Sequence, residues 1–253
     1  MKNSLRDYSI FDKFKFERKP IGVKFMPVKP EGIPHLTKAL NFCEMLKEAQ
    51  IGDPFYVTKG DFHCVEPMLL GFEDPEPILV SGLFGERGAL FQEARACRAI
   101  YNYLPYMKMG SVHSVAFSPV DKLPFDPDVL IITANIAQAQ TLLRSINYST
   151  GEVISSKYTP VCACAWIYNY PVLSGEMNYV ITGLGLGMKA LNIFPPGLFL
   201  ISVPWVKIGT MLENLVEMGV ERVTSFQTPG PGGEEHRKNV QKQKDKLREE
   251  INK

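Results

Sequence analysis

The apolar residues of this chain fall into short runs, which limits what it can fold into. The two most apolar runs, 129–134 and 198–203, span only about six residues each. A run of that length fits a buried β-strand, whereas a membrane-spanning helix needs about 20 apolar residues. Residues 1–16 mix charged and aromatic side chains without a continuous apolar stretch. We therefore expect strands, no membrane partner, no export signal and a cytoplasmic protein.

Shorter patterns predict how helices and strands alternate along the chain. Alternating or short apolar runs predict further strands at 21–26, 55–58, 114–117, 161–166 and 178–182. Apolar positions at helical spacing predict helices at 36–51, 90–104, 134–146 and 206–218. Together these elements predict an α/β or α+β fold in which a mixed sheet is flanked by helices.

The composition is that of a globular chain with no strong electrostatic preference. Hydrophobic residues make up 45% of the 253 residues, which is enough for a substantial core. Lys and Arg number 28 against 27 Asp and Glu, and no basic face is interleaved with aromatic residues, so we expect no nucleic-acid partner. The sequence also lacks serine-hydrolase and zinc-protease motifs. Whether the chain is an enzyme stays open.

A change in composition near Thr228 divides the chain into two parts. Residues 1–228 predict a single globular α/β domain, or two sub-lobes that separate near 105–125. Residues 229–253 begin with a Pro- and Gly-rich stretch and continue as a charged, helical tail. This tail either frays in solvent or docks on a redox partner protein or a second copy of the chain.

Five cysteines in a chain without an export signal favour reduced thiols, metal ligation or redox chemistry over structural disulfides. Cys43 lies on the inward face of a predicted helix, Cys64 ends a loop, and Cys162 and Cys164 form a C-x-C pair. In a strand, both members of that pair would face the same side. Thiolates hold zinc or iron–sulfur clusters, but these spacings match no standard ferredoxin or zinc finger, and buried inert thiols are the alternative. Cys97, on an apolar helical stripe, is predicted to pack in the core.

Three motifs carry a resemblance to a known family. Residues 41–47 (NFCEMLK), 55–64 (FYVTKGDFHC) and 70–72 (LGF) resemble the domain of unknown function 169 family, whose members come from archaea and anaerobic bacteria. The resemblance extends over nearly all of residues 1–220. It implies that Cys43 and Cys64 occupy the two cysteine positions of the family pattern and that Cys162 occupies a third. It implies no activity, because the family has no settled one.

Polar side chains cluster immediately before Cys64. Tyr56, Lys59 and Asp61 supply a phenol, an ammonium and a carboxylate, which either form a cofactor-binding pocket for an anionic or polar ligand or build a polar turn. The resemblance favours the pocket, with Lys59 as counter-charge and Asp61 as its hydrogen-bonding neighbour. His63 either binds the ligand or metal and lowers the pKa of the Cys64 thiol, or lies on the surface, because adjacent residues in a strand point apart.

A glycine-rich run, 182–189 (TGLGLGMK), follows one of the predicted strands. Exposed backbone amides in such a run could cradle a phosphate. The run lacks the third glycine position of the dinucleotide fingerprint and the Walker lysine–threonine ending. A tight turn or close packing is therefore the favoured interpretation.

Three functions from different classes fit these patterns. The favoured one is a metal or iron–sulfur protein of anaerobic redox metabolism, or an accessory to a redox enzyme, with an iron–sulfur cluster or zinc as its cofactor. The second is a thiol enzyme or small-molecule sensor that uses Cys64 and Lys59. The third is an assembly protein with buried structural cysteines. The predicted metal ligands of the first function are Cys43, Cys64, Cys162 and Cys164.

Overall fold

A six-stranded sheet forms the centre of the protein. The computed structural model describes residues 6–220 and 233–251. The strands are β1 (Ile21–Met26), β2 (Phe55–Val57), β3 (Ser114–Pro119), β4 (Val129–Ala134), β5 (Asn178–Ile181) and β6 (Phe199–Pro204). They lie in the order β2-β3-β1-β4-β6-β5, and every pairing among them is antiparallel.

Helices follow or connect most of these strands. They are α1 (Phe42–Ile51), α2 (Glu66–Leu69), α3 (Pro77–Val80), α4 (Leu83–Arg87), α5 (Ala94–Tyr103), α6 (Ile136–Asn147), α7 (Ala163–Ile167), α8 (Asn169–Ser174), α9 (Leu186–Ala190), α10 (Trp205–Met218) and α11 (Gly233–Ile251). Short 3-10 helices occur at Ser9–Phe14, Lys59–Asp61 and Val120–Lys122.

The sheet separates two hydrophobic cores. Side chains of a strand alternate between its faces, so Leu130 and Ile132 of β4 pack in one core while Val129 and Ile131 pack in the other. The first core also contains the inward faces of α6 and α10. The second contains side chains of α1, α2, α5 and α7, including three of the cysteines. The candidate site therefore belongs to this second layer.

One sheet with helices on both faces confirms the predicted α/β or α+β class, but the sheet is antiparallel and not mixed as predicted. The six strands agree with their predicted positions to within about two residues at each end. The predicted positions are 21–26, 55–58, 114–117, 129–134, 178–182 and 198–203. Helices α6 and α10 also match their predicted positions.

The helix predicted from residue 36 begins only at Phe42. His35 and Leu40 instead form parallel bridges with Tyr56 and Phe62. Strand β2 is at the edge of the sheet, so its backbone groups on one side have no partner strand. Pairing of the segment before Phe42 with these groups is favoured over extension of α1 towards the N-terminus. Helix α5 likewise begins four residues later than predicted.

The strand predicted at 161–166 is wrong. Cys162 has a left-handed backbone conformation, with φ 52° and ψ 38°, and helix α7 follows it directly. Every residue of α7 is buried, so its apolar run has no polar face that would reveal helical periodicity. A short, fully buried run cannot be assigned to helix or strand from its pattern alone.

The charged tail is helical where the structure describes it, as α11. The predicted boundary at residue 228 lies outside the described residues. Strands from both sides of segment 105–125 share the single sheet. Across residues 6–220 and 233–251, no helix combines the length and the apolar character needed to cross a bilayer.

Candidate functional site

Four of the five cysteines line one cavity in the second core. Its volume is about 80 Å³. The thiols come from three distant segments: Cys43 from α1, Cys64 from the loop before α2, and Cys162 and Cys164 from the start of α7. Glu66 lies beside them in the cavity wall. The glycine-rich segment and the residues after it contribute Gly185, Gly187, Met188 and Leu191, and the remaining wall residues are Asn41, Phe42, Pro160 and Ala163.

The first turn of α1 carries Cys43 into the cavity. Asn41 precedes the helix in extended conformation. Its backbone N–H donates a hydrogen bond to Oε2 of Glu44 at 2.9 Å, and its Nδ2 donates to the same oxygen at 2.6 Å. A cap of this kind fixes where a helix begins, because it satisfies backbone groups that the first turn leaves unpaired. The position of Cys43 follows from that cap.

Cys64 is tied to the same helix end. The backbone N–H of Phe42 donates a hydrogen bond to Sγ of Cys64 at 3.3 Å. An N–H in the first turn of a helix has no intrahelical acceptor, so the sulfur satisfies it. A donor aimed at sulfur also stabilises negative charge on that sulfur, as the N–H···S bonds of metal–thiolate sites do. The thiol of Cys64 is partly buried.

The C-x-C pair reaches the cavity through an unusual backbone conformation. Left-handed φ and ψ are uncommon for a residue other than glycine, and at Cys162 they turn the chain into α7. Burial raises the pKa of the Cys162 thiol, and the nearby phenol of Tyr101 acts in the opposite direction. The thiol of Cys164 lies beside the thiol of Cys43, and this contact raises its pKa. The turn therefore places both sulfurs of the pair in the same cavity although neither lies in a strand.

The cavity contains acidic groups without a basic counterpart. Burial raises the pKa of the Cys162 thiol to about 12, and it also raises the pKa of the Cys64 thiol. The hydrogen bond to Cys43, together with burial, raises the pKa of Cys164. Burial also raises the pKa of the Glu66 carboxyl group. No Lys, Arg or His lies in the cavity wall. The thiols of Cys64, Cys162 and Cys164 are therefore protonated at neutral pH unless a cation enters.

No three His, Cys, Asp or Glu side chains within the described part of the chain are arranged to hold a metal ion. In the cavity, the thiols lie next to one another, to Tyr101 and to Glu66. Ligation would require them to lose their protons. The four cysteines thus share a cavity, and their role as metal ligands stays a prediction.

Two of the predicted pocket residues belong to the edge of the sheet. Tyr56 is buried in β2, with its ring centroid 5.0 Å from that of His35. Asp61 accepts a hydrogen bond from the backbone N–H of Thr58 at 2.6 Å, and its Oδ2 lies 2.8 Å from Nε2 of His35. These contacts close the turn after β2. Neither residue lies in the wall of the cysteine cavity.

The other two predicted pocket residues lie towards solvent. Nζ of Lys59 pairs with Oε2 of Glu73 at 2.9 Å, and more than half of the Lys59 side chain is exposed. His63 is exposed, although it precedes Cys64. The structure therefore brings neither side chain into the cysteine cavity. A ligand-binding role for them stays a prediction.

The glycine-rich run packs closely against the cysteine-bearing segment. A Cβ atom on Gly185 would lie 3.1 Å from Cβ of Ala163, and the N–H of Leu186 donates to the carbonyl of Pro160 at 2.9 Å. Gly183 has a φ of 90°, which favours glycine. This segment therefore closes one side of the cavity, in agreement with a turn and close packing.

Two residues of the site, Glu66 and Tyr101, gave no signal in the sequence. Glu66 follows Cys64 by two positions, but a lone carboxylate in a Pro-containing segment gives no signal of burial. Tyr101 lies on the apolar stripe of α5, where an aromatic residue is expected to be core. Its contact with Cys162 joins segments about 60 residues apart, so only the fold reveals it.

The cap of α1 leads to a prediction about pH. Hydrogen bonds from Asn41 lower the pKa of Glu44, so the carboxylate is favoured in the folded state. The contribution of the Glu44 carboxylate to the free energy of unfolding is fully present above the ordinary pKa near 4.5. It is lost as the pH falls through the lower pKa of the folded state. We expect Glu44→Gln to reduce the free energy of unfolding by about 0.5 kcal/mol at pH 7, allowing for solvent screening, and by less at pH 3.

Urea unfolding of Glu44→Gln at the two pH values measures this difference. Glu213→Gln, at an exposed position in α10, is the matched control and is expected to show little change at either pH. An equal loss of stability at pH 7 and pH 3 would contradict the role of the Glu44 carboxylate in the cap.

Comparison with known proteins places the chain in a family. A search of curated proteins and a search of solved structures each found no match. The family DUF169, described as uncharacterised ArCR, matches residues 9–214. This range includes Cys43, Cys64, Cys162, Cys164 and Glu66, as well as all six strands. Because the match covers most of its length, the chain belongs to the DUF169 family.

Proposed function

We propose that the cysteine cavity binds a metal centre, with an iron–sulfur cluster as the favoured occupant. The centre serves redox metabolism, either in electron transfer or as an accessory to a redox enzyme. The observation that supports this proposal is the convergence of Cys43, Cys64, Cys162 and Cys164 on one cavity from three distant segments. Independent packing of inert thiols gives no reason for four of five cysteines to meet.

The chemistry of the donors fits a soft metal. Thiolate sulfur prefers zinc, copper(I) and iron–sulfur clusters over hard cations. A cation that enters a site of low dielectric constant lowers the pKa of the thiols and displaces their protons. The N–H of Phe42 and the phenol of Tyr101 are hydrogen-bond donors for two of the resulting thiolates. The cavity therefore has the partners that thiolate ligands need.

The size of the cavity favours a cluster over a single ion. Its volume of about 80 Å³ is several times the space of about 10–15 Å³ that one water molecule requires. In a structural zinc site, four ligands enclose the ion at about 2.3 Å and leave no room for further atoms. An iron–sulfur cluster, with its own inorganic sulfide, uses the additional volume. Zinc with a bound water or small ligand is the alternative occupant.

The location of the cavity suits exchange of electrons with a partner. Cys64 and Cys162 are only partly buried, so the centre lies close to the protein surface. A redox partner or a second copy of the chain is proposed to dock through residues 229–253. Helix α11 in that segment is strongly charged and exposes Leu247 and Ile251, four positions apart on one face.

A thiol enzyme that uses Cys64 and Lys59 is less well supported. A reactive cysteine is a thiolate in an electropositive, accessible environment. Burial instead raises the pKa of the Cys64 thiol, and the nearby Glu66 carboxyl raises it further. Lys59 pairs with Glu73 outside the cavity. These groups favour ligation of a cation over nucleophilic attack.

Metal analysis of anaerobically purified protein tests the proposal. We expect iron and acid-labile sulfide in a fixed ratio to the chain, together with broad charge-transfer absorbance in the visible spectrum. Stoichiometric zinc without visible absorbance would support a metal centre and would identify its occupant as zinc instead of an iron–sulfur cluster. Colourless protein with only trace metal would contradict the proposed function.

A further inference from the structure

A second cavity lies where the chain that leads into β1 passes the end of β4 and the start of α6. Its volume is about 90 Å³, and no residue of its wall also lines the cysteine cavity. The wall is formed by Lys15, Glu17, Arg18, Thr133, Ala134, Asn135, Gln138 and Leu198. Two basic side chains against one acidic side chain give this wall a positive charge.

Local structure holds the basic segment beside α6. Gln138, in the first turn of α6, donates a hydrogen bond from Nε2 to the carbonyl of Phe14 at 3.0 Å. Lys15 follows Phe14 in a left-handed conformation, with φ 49°. The guanidinium carbon of Arg18 lies 5.2 Å from the ring centroid of Phe194. This contact covers one face of the guanidinium group and leaves its N–H edges for hydrogen bonds.

The two basic side chains of the wall lack an acidic partner. Neither Lys15 nor Arg18 forms an ion pair with a described Asp or Glu side chain, and Glu17, in the same wall, is exposed to solvent. Nε of Arg18 is buried and has no hydrogen-bond acceptor in the part of the chain that the structure describes. Leaving a buried, charged donor unpaired is costly. An anion in the cavity would supply the missing acceptor.

Buried polar groups behind the cavity also lack partners. Thr133 is 4% exposed, and its Oγ1 accepts a hydrogen bond from Nε2 of Gln50 at 2.7 Å. The hydroxyl proton of Thr133 remains available to an acceptor, because a hydroxyl group both accepts and donates. Gln50 is 3% exposed, and its Oε1 has no partner among residues 6–220 and 233–251. Since buried polar groups normally pair, a ligand is expected to complete this network.

The start of α6 adds a favourable electrostatic field. The helix has 12 residues, and Oδ1 of Asn135 accepts a hydrogen bond from the N–H of Gln138 at 2.9 Å. The aligned peptide dipoles of a helix place positive partial charge at its first turn, which favours an anion there. This field strengthens a site that Arg18 and Thr133 define.

We propose that this cavity binds a phosphate-sized oxyanion. Lys15 and Arg18 balance its charge, while Nε of Arg18 and the hydroxyl of Thr133 donate hydrogen bonds to its oxygens. Hydrogen phosphate also carries one O–H group, the kind of donor that Oε1 of Gln50 lacks. The site does not depend on the metal centre proposed for the cysteine cavity.

The size of the cavity limits what enters it. Its volume of about 90 Å³ is several times the space of about 10–15 Å³ that one water molecule requires, so it holds a single tetrahedral oxyanion. The exposed side chains of Lys15 and Glu17 lie where the cavity meets solvent. Free inorganic phosphate and the phosphate group of a small ester share the required chemistry, and the remainder of an ester would extend past these side chains.

Calorimetric titration of the full-length protein with inorganic phosphate at low ionic strength tests this inference. Arg18→Gln and Lys15→Gln each remove one positive charge from the wall, whereas Thr133→Val removes the hydroxyl group without changing any charge. Lys13→Gln is the matched control, because Lys13 is an exposed lysine of the same segment outside the cavity wall. Glycerol phosphate is the second probe, since it is an ester of the same anion.

We expect wild type to bind one phosphate per chain. Arg18→Gln should raise the dissociation constant by about tenfold or more, because it removes charge-assisted hydrogen bonds. Thr133→Val should raise it by about tenfold and Lys15→Gln by less, since the Lys15 side chain is exposed. Lys13→Gln should bind as wild type does. Tighter binding of glycerol phosphate would identify an ester as the ligand, and tighter binding of inorganic phosphate would identify the free ion.

Two results would overturn the inference. One is the absence of saturable binding of both probes to wild type. The other is equal weakening by Arg18→Gln and Lys13→Gln, because phosphate would then respond only to net charge. Thermal unfolding of each variant without phosphate separates loss of the site from loss of the fold. If Arg18→Gln does not fold, Arg18→Lys replaces it: it keeps the charge but loses the guanidinium fork, and wild-type affinity in that variant would contradict the role of Arg18.

Discussion

Replacing both Cys43 and Cys164 with serine is expected to abolish metal binding by the proposed centre. The two thiols are neighbours in the cavity, so the double variant removes two adjacent soft donors at once. A serine hydroxyl is a hard donor that stays protonated near neutral pH and binds iron or zinc poorly. Loss of a partner outside the ligand shell alone costs about 10–100-fold in metal affinity, and loss of two ligands should cost more.

Metal content and the visible spectrum after anaerobic purification measure this effect. Cys97→Ser is the matched control, because Cys97 is also buried but packs against Gly85 outside the cavity wall. It is expected to keep its full metal content even if its stability falls. Equal metal content in Cys43→Ser/Cys164→Ser and Cys97→Ser would show that the cavity does not hold the metal.

The second large effect is expected for Phe42→Ala. The Phe42 side chain is 1% exposed and stacks on Tyr168 with ring centroids 3.9 Å apart. It also meets Phe62 and Phe117 edge-to-face, so it connects α1 to the sheet and to the segment after α7. Removing a buried phenylalanine leaves a cavity and costs about 3–5 kcal/mol. Because its N–H faces Cys64 and its neighbour is Cys43, metal binding should weaken as well.

Equilibrium unfolding in urea measures the difference in the free energy of unfolding between Phe42→Ala and wild type. The comparison holds when the slope of free energy against urea concentration is the same for both proteins. Phe84→Ala is the matched control: Phe84 is 57% exposed, and its loss should change the free energy of unfolding by no more than about 0.5 kcal/mol. Comparable losses for the two variants would contradict the role of Phe42 as the central packing residue of the second core.

The strands were predictable because each is a short apolar run bounded by turn residues. Val129–Ala134 and Phe199–Pro204 are buried central strands, and their composition leaves few alternatives. The run at 161–166 was not predictable in the same way, since a fully buried segment of about five residues looks alike as helix and strand. Its conformation depends on the left-handed turn at Cys162, which no local propensity favours.

The start of α1 shows a second limit of local patterns. Leu36 and Leu40 continue the helical spacing of α1 towards the N-terminus, yet this segment is extended beside β2. Pairing with the edge of the sheet outweighs a weak helical preference, and only the assembled sheet offers that edge.

Residue type by itself offered two interpretations of the cysteines, ligation of a soft metal or burial as inert thiols, and the resemblance to the family singled out Cys43, Cys64 and Cys162. Their meeting in one cavity was decided by tertiary structure. So was the exclusion of Lys59 and His63 from it, and the presence of Glu66 in its wall. Spacing along a chain fixes which groups are available, whereas distances between segments 20 to 100 residues apart depend on how the sheet and its helices pack.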